Sequence, residues 1–375
     1  MKTTCETKNL RKCIEAVMPG IDSKPASEIL SGIKLQTKDN KITLCTSNMN
    51  NYYRSYMEAK NEEDDETVVA AERFYNIIKA TNEENITLET VSKNKKDNVL
   101  SIKAGNASFE LSTYSGEFPE EPKPENEPDF SMELTGKEYK EIIKKTAYAV
   151  SKDTSRPIFT GIFLNITEES IAFAASNTHR ISEYDMKDRK GNKKCSCLIP
   201  SQNMTAIAKI IEDEEKITLS FKSNKANIKT ENWDISIQAI GGNFPDYRRV
   251  FPKPEDKITG ISVNRTNLLD AVNRVSICSD TNNKYIVVKM EAENDKLTVS
   301  SYGSNDSNSK EIVDCKTEGN PIKIAFNAKY IVEFCKSTTA ENITFAMKNE
   351  LSPVRMHGDD PDKYTYIITP VRVTF

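Results

Sequence analysis

Apolar and polar positions along this chain alternate between two periods. Near the N-terminus Leu10, Cys13, Ile14 and Val17 fall at i, i+3, i+4 and i+7, which predicts a helix with one buried face. Tyr139, Ile142, Ile143, Thr146 and Val150 repeat the pattern and predict a helix over 137–150, and a shorter helix is predicted over 202–211. Between the helices the period shortens to two. GIFLNI, SIAFAA, KITLSF, ANIKTE and DISIQAI are rich in Ile, Leu, Phe, Val and Thr, and turns such as Glu168-Glu169 and Gly241-Gly242 punctuate them.

The whole pattern recurs. GIKLQTKDNKITLCTSN begins at Gly32, GIFLNITEESIAFAASN at Gly161 and the weaker VVKMEAENDKLTVSSYG at Val287, 129 and then 126 residues apart. In each copy ten residues separate the start from the next apolar strand position, Ile42, Ile171 and Leu297. The flanks keep the register: Leu10, Tyr139 and Leu268 mark preceding helices, while NITLET at 85, KITLSF at 216 and NITFAM at 342 mark following strands. GEFP at 116 and GNFP at 242 close the first two copies. The expected fold is α+β, with two helices and about eight strands per copy and the helices on one side. The Pro/Glu-rich stretch 117–130 and PKPEDK at 252–257 mark the linkers, giving domains 1–124, 125–253 and 254–375.

Charge adds a second feature. The formal net charge is -4, yet basic residues gather on the predicted helices: Lys8, Arg11 and Lys12; Arg73 and Lys79; Lys137, Lys140 and Lys144; Lys209; Arg265 and Arg274; Lys329 and Lys336. Lys24 and Arg156 complete the basic set expected to meet phosphates. Acidic runs such as NEEDDE and EDEE lie between helices. A charged helix face is often only a solvated one, but six helices sharing the bias in one frame would give an acidic protein a basic surface. Such a surface attracts phosphates without reading sequence.

The sequence carries no chemistry to match. Walker, dinucleotide-binding and nucleophile-elbow motifs are missing. His179 has no evident acid partner or nucleophile. The eight cysteines are scattered, and Cys195 and Cys197 form a lone C-x-C, so neither a disulfide framework nor a metal site is expected. No catalysis, metal or cofactor is expected. With no apolar run of membrane-spanning length, a cytoplasmic location is expected.

SRPIFTGIFL (155–164), SNTHRIS (176–182), GNFPDYRRVFP (242–252), FNAKYIVEF (326–334) and YIITPVRV (366–373) are similar to blocks of the bacterial DNA polymerase III beta subunit family, the sliding clamps, and the similarity runs end to end. The resemblance implies a head-to-tail homodimer of six clamp domains encircling duplex DNA, with helices lining the hole. It implies partners that include the polymerase III catalytic subunit, an ATP-dependent clamp loader, and other polymerases and repair proteins.

The resemblance also implies a peptide pocket between the second and third domains. One wall would be Phe159, Ser176, Thr178, His179, Arg180, Ile181, Pro245, Arg249 and Val250. The other would be Asn327, Tyr330, Leu351, Pro353, Ile367, Thr369, Pro370, Val371 and Arg372, with Arg180, Arg249 and Arg372 at the rim. Phe109 and Leu111 would meet Ile277 and Cys278 of a second copy. The chain departs from the family at Asn177-Thr178, Glu28 and Thr369, and in continuing to Thr374-Phe375. A repeat-built adaptor that binds peptides without encircling DNA is the competing reading.

Overall fold

The computed structural model describes residues 1–21, 25–93, 98–120, 127–253, 255, 257–279, 285–303 and 308–375. Lys24 and residues 121–126 of the first linker therefore lie outside the described residues. The first repeat runs β1 (Lys2–Glu6), α1 (Thr7–Val17), β2 (Gly32–Lys38), β3 (Lys41–Ser47), β4 (Asn51–Glu58), β5 (Lys60–Glu63), β6 (Glu66–Ala70), α2 (Ala71–Ala80), β7 (Asn85–Ser92), β8 (Asn98–Ala104) and β9 (Ala107–Ser112). The second runs β10 (Phe130–Thr135), α3 (Gly136–Thr146), β11 (Gly161–Ile166), β12 (Ile171–Ser176), β13 (Arg180–Met186), β14 (Cys195–Pro200), α4 (Ser201–Ile210), β15 (Lys216–Lys222), β16 (Lys225–Lys229) and β17 (Trp233–Gln238). The third runs β18 (Thr259–Asn264), α5 (Arg265–Ser276), β19 (Val287–Glu293), β20 (Lys296–Ser301), β21 (Lys310–Gly319), β22 (Ile322–Asn327), α6 (Ala328–Ser337), β23 (Asn342–Met347), β24 (Val354–His357) and β25 (Tyr364–Ile368).

The period read from the sequence has a physical counterpart in one backbone hydrogen bond made three times. The first amide of each leading helix donates to the carbonyl just before a later strand: Thr7 to Glu84 (2.9 Å), Gly136 to Glu215 (2.8 Å) and Arg265 to Glu341 (2.9 Å). Each satisfies one of the donors a helix start leaves open. Where the predicted α3 stripe ends, the structure differs. Tyr139, Ile142, Ile143 and Thr146 are buried as the period demands, but Ala149 is buried in place of Val150. The Thr146 hydroxyl bonds back to the Ile142 carbonyl (2.7 Å), and residues Ala147–Ala149 tighten into a 3-10 turn. Three residues per turn instead of 3.6 shifts the apolar phase by one position.

Packing divides the chain into two compact units that cut through the second repeat. The first holds residues 1–140 and 202–239, the second 141–201 and 240–375. In the first unit β10 and β15–β17 extend the sheet of β2–β4 and β6, because β17 pairs with β4 from Trp233↔Ser55 to Ile237↔Asn51. A separate sheet there has the order β5-β1-β7-β8-β9, with β9 at its edge. The second unit has one twelve-stranded sheet, β14-β11-β12-β13-β25-β24-β23-β18-β21-β20-β19-β22. Its continuity rests on the antiparallel pairing of β13 with β25.

Candidate partner-binding face

Register on β13 decides which side chains are presented. Arg180, Ser182 and Tyr184 pair with Ile368, Tyr366 and Tyr364, whereas Ile181 and Glu183 pair with Ile367 and Thr365. Directly paired residues share a sheet face and successive residues alternate. Arg180, Ser182 and Tyr184 therefore share the face covered by α6 and the end of α3. There Phe334 stacks on Tyr366 at 4.9 Å, and Tyr148 bonds to Tyr364 (2.8 Å) and Ser182 (3.2 Å). Lys145 lies 4.3 Å from the centre of the Tyr364 ring, and burial pulls its ammonium below the ordinary lysine range, with Glu141 opposing.

Ile181 and Ile367 emerge on the opposite, outer face. They form an apolar floor with Ala174 and Tyr247, against which Phe163, Phe244 and Phe251 pack. The 3-10 turn Tyr247–Val250 is tied down over β13 by charge. Glu183 accepts from the Tyr247 hydroxyl (2.5 Å) and from Arg248 Nε (2.7 Å), and Asp185 accepts from Arg248 Nη2 (3.0 Å). Both carboxylates are buried. Burial, with Glu183 alongside, pushes the Tyr247 phenol far up, so it remains a donor. This clamp leaves Val250 48% exposed beside the floor.

The loop before β13 is built from its own side chains. Asn177 Oδ1 accepts from the amides of His179 and Arg180 (both 3.1 Å), and Ser176 Oγ accepts from the Thr178 amide (3.1 Å). Thr178 has φ 75°, a strained value for a β-branched residue that these bonds hold. The C-terminal segment is stitched to the same loop: the Thr369 amide (3.0 Å) and hydroxyl (2.8 Å) both donate to the His179 carbonyl.

The residues expected at the pocket divide by exposure. Ser176, Arg180, Ile181, Asn327 and Ile367 are buried; Phe159, Tyr330, Pro353, Thr369, Pro370 and Val371 are half-buried. Thr178, His179, Pro245, Arg249, Val250, Leu351 and Arg372 are exposed. All belong to one compact unit. Arg180 is not at the rim. At 4% exposure its guanidinium lies 4.4 Å from the Tyr330 ring centre, bonds to Glu333 (2.5 Å) and donates to the Tyr148 carbonyl. The physical reason is its register: one residue before Ile181, it faces α6. Asn327 caps α6 by accepting from the Lys329 amide (3.1 Å), and Tyr330 accepts from Asn177 (3.1 Å). Sequence reasoning missed Glu183, Asp185, Tyr247 and Arg248, although the alternation in RISEYDM puts both acids on the Ile181 face.

Among the residues assigned to DNA, Lys8, Lys12, Arg73, Lys79, Lys137, Lys144, Arg156, Lys209, Arg274, Lys329 and Lys336 are exposed. Arg11, Lys140 and Arg265 are half-buried. Arg11 donates to the carbonyls of Lys79 and Thr81, and Arg265 to that of Ala340, so both tie neighbouring elements together. Lys12 and Lys140 pair with Glu212 and Asp213 (2.6 Å each), and Arg274 pairs with Glu311 (2.5 Å). Exposed pairs of this kind are weakly held. Phe109 lies exposed on edge strand β9, where it pairs with Ile102, while Leu111 is buried. Ile277 is 81% exposed, Cys278 half-buried, and Ile312 on β21 is a further exposed apolar residue that the sequence reading did not single out. Among the described residues no group of His, Cys, Asp and Glu could hold a metal, and no helix is long and apolar enough to cross a membrane.

Three family descriptions cover the chain in turn: DNA polymerase III beta subunit N-terminal domain over residues 1–122, central domain over 133–246 and C-terminal domain over 248–372. The chain belongs to the DNA polymerase III beta subunit family. Among relatives of this family, a beta sliding clamp from Staphylococcus epidermidis is 27% identical over 369 residues, covering 95% of each chain. One from Synechococcus elongatus is 22% identical over 382 residues, covering 100% of each. The DNA polymerase sliding clamp of Bacillus subtilis has the same fold, with TM-score 0.91 at 23% identity and 100% of both chains covered.

The Glu183–Asp185–Arg248 clamp yields a prediction. Arg248→Met takes the cation from two buried carboxylates, leaving Glu183 with the Tyr247 hydroxyl, and should lower stability by roughly 1–3 kcal/mol, read as an earlier urea transition of the full chain. Hydrogen exchange over 247–251 should accelerate selectively. Unchanged exchange in that segment would mean that Arg248 does not hold the turn.

Proposed function

We propose that this chain is a DNA polymerase processivity factor that works as a ring: two copies close head to tail around duplex DNA, and the outer-face pocket holds peptide segments of the proteins to be tethered. The catalytic subunit of DNA polymerase III and an ATP-dependent clamp loader are its foremost partners, followed by other polymerases and repair proteins, and its compartment is the cytoplasm. The three clamp domains are taken as 1–124, 125–253 and 254–375. The family supplies the non-catalytic role. The single observation that carries the pocket is the exposure of Val250, 48%, on the turn whose Tyr247 joins the buried floor of Ile181 and Ile367; Leu351, 56% exposed, lies on the connection leading into β24, which pairs with β25. Large apolar groups beside an apolar floor favour a partner that brings its own apolar anchors.

Closure of the ring rests on a strand edge. β9 ends its sheet and exposes Phe109, and the third repeat exposes Ile277 and Ile312. An apolar edge strand invites pairing with another chain, and a heterologous contact that closes by rotation gives a ring rather than a filament. On its inside, exposed lysines such as Lys137 and Lys144 would meet phosphates without reading bases, while Lys12 and Lys140 would exchange their weak carboxylate partners for phosphate.

Two predictions test this reading, and the first separates it from an adaptor that binds peptides alone. Loaded onto a nicked circular duplex by its clamp loader, the protein should survive a salt wash that strips ordinary electrostatic binding, and should be lost when the circle is cut. Lys137→Glu with Lys144→Glu should reduce loading. Equal retention on circular and linear DNA would favour the adaptor. For the pocket, Val250→Ala with Leu351→Ala removes two exposed anchors at no cost to the core. With each contact worth roughly 1–3 kcal/mol, fluorescence anisotropy with a labelled polymerase peptide should show a loss of at least ten-fold. Undiminished affinity would place the pocket elsewhere.

A further inference from the structure

Beside the apolar floor, on the same sheet face, lies a cavity of about 160 Å³ ringed by Lys253, Lys257, Lys348, Arg355 and His357. Register puts the two together. Across four strands, Ile181 pairs with Ile367, Ile367 with Arg355, and Arg355 with Ala346, so all four side chains stand on the outer face. His357 joins that face through its pairing with Thr344, two residues before Ala346. The small side chain of Ala346 leaves the depression unfilled. On the next strand Gly260 pairs with Ala346, and a Cβ there would lie 2.6 Å from Lys257 Cε, so the glycine makes room for the lysine stem. A cavity of this size admits a group as large as a benzene ring.

The cations around it differ in burial and surroundings. Arg355 donates through Nη2 to the Pro361 carbonyl (2.7 Å) and to Thr365 (3.2 Å), while its buried Nε has no partner. Lys257 reaches Glu318 (2.6 Å), and Lys253 and Lys348 are exposed. His357 Nδ1 lies 2.9 Å from the Gly358 carbonyl, which can only accept, so that nitrogen carries the proton. Burial holds His357 below its ordinary value; the Gly358 bond opposes this, and Arg355 and Lys257 add to the depression. Four permanent cations and a histidine beside one small cavity suit an anionic group.

We infer that this cavity is an acidic-residue subsite for the same partner segment that fills the apolar pocket, taking a Glu or Asp side chain of that segment. The inference rests on the pocket reading for the source of its ligand. Two observations favour an acidic polypeptide over a nucleic acid. The cations lie on β24, at the end of β23 and at Lys253 and Lys257, not on the six helices that carry most of the basic residues assigned to DNA. The same β23–β24 connection that carries Leu351 and Pro353 at the pocket continues into the strands lining the cavity. Adjacent strands are about 4.8 Å apart, so Ala346 lies about 10 Å from Ile367 across the sheet, the span of roughly three extended residues. A carboxylate two to four residues from an apolar anchor therefore reaches the cations.

The chain has only two histidines, one at each site, and they make the test. Ring resonances of His179 and His357 are followed by NMR on the full-length protein. One titrant is a peptide carrying an apolar anchor pair and a Glu three residues away; its twin has Gln there. The Glu peptide should move both histidines and raise the His357 pKa, since a nearby carboxylate favours the charged ring. Its affinity should then tighten as pH falls. The Gln peptide should move His179 only and bind about five-fold more weakly. Lys253→Gln with Lys348→Gln should erase the difference between the peptides without altering Gln-peptide binding. If His179 responds and His357 does not, the subsite is wrong and the pocket stands. If His357 responds alone, the cavity does not extend the pocket and the inference fails with it. Displacement of the Glu peptide from His357 by linear duplex would assign the cations to nucleic acid and overturn the inference.

Discussion

The antiparallel pairing of β13 with β25 is the constraint on which the candidate partner-binding face depends. It joins strands of the second and third repeats into one sheet, and its register assigns every side chain of RISEYDM to a face. A slip of one residue would send Ile181 under α6 and bring Arg180 to the surface. The register is fixed from both sides. Beneath, Arg180 is held by Glu333, Tyr330 and the Tyr148 carbonyl; above, Glu183 and Asp185 hold Arg248. Buried charges on both faces are costly unless paired, so no neighbouring register offers an equal alternative.

From this pairing the rest follows in order. The turn Tyr247–Val250 is anchored over β13, Val250 stands beside the floor, and β24 carries Arg355 and His357 onto the same face one strand beyond Ile367. The second repeat thereby serves two sheets. Its β17 continues the sheet of the first repeat, and its β13 meets the third. Two compact units arise from three sequence repeats because strand pairing, not chain order, decides which residues pack together.

Much of this was legible in the sequence. The 129- and 126-residue offsets identified the repeat because each copy must bury the same stripe and anchor the same helix start. The apolar residues that the resemblance assigns to a pocket, Ile181, Val250, Leu351 and Ile367, come from distant segments that no local pattern joins; the structure puts all four in one compact unit, with Ile181 and Ile367 in one buried cluster. What escaped was set by facing. Arg180 sits at the end of a polar loop and reads as exposed, yet the first residue of β13 points to the helices. Val150 fits a regular helix, but a 3-10 turn changed the phase. The cavity had no signature, because its cations gather only when Lys253 and Lys257 come beside the β23–β24 hairpin.

The proposed role as a ring requires two copies to meet, for which edge strand β9 and the exposed apolar residues Ile277 and Ile312 are the proposed contacts. Sedimentation equilibrium of the full-length protein at micromolar concentration tests this most directly. The account predicts a species of twice the 42.3 kDa chain mass, converted to folded single chains by Phe109→Asp or Ile277→Asp. A wild-type protein that sediments as one chain throughout, or both variants remaining dimeric, would contradict it.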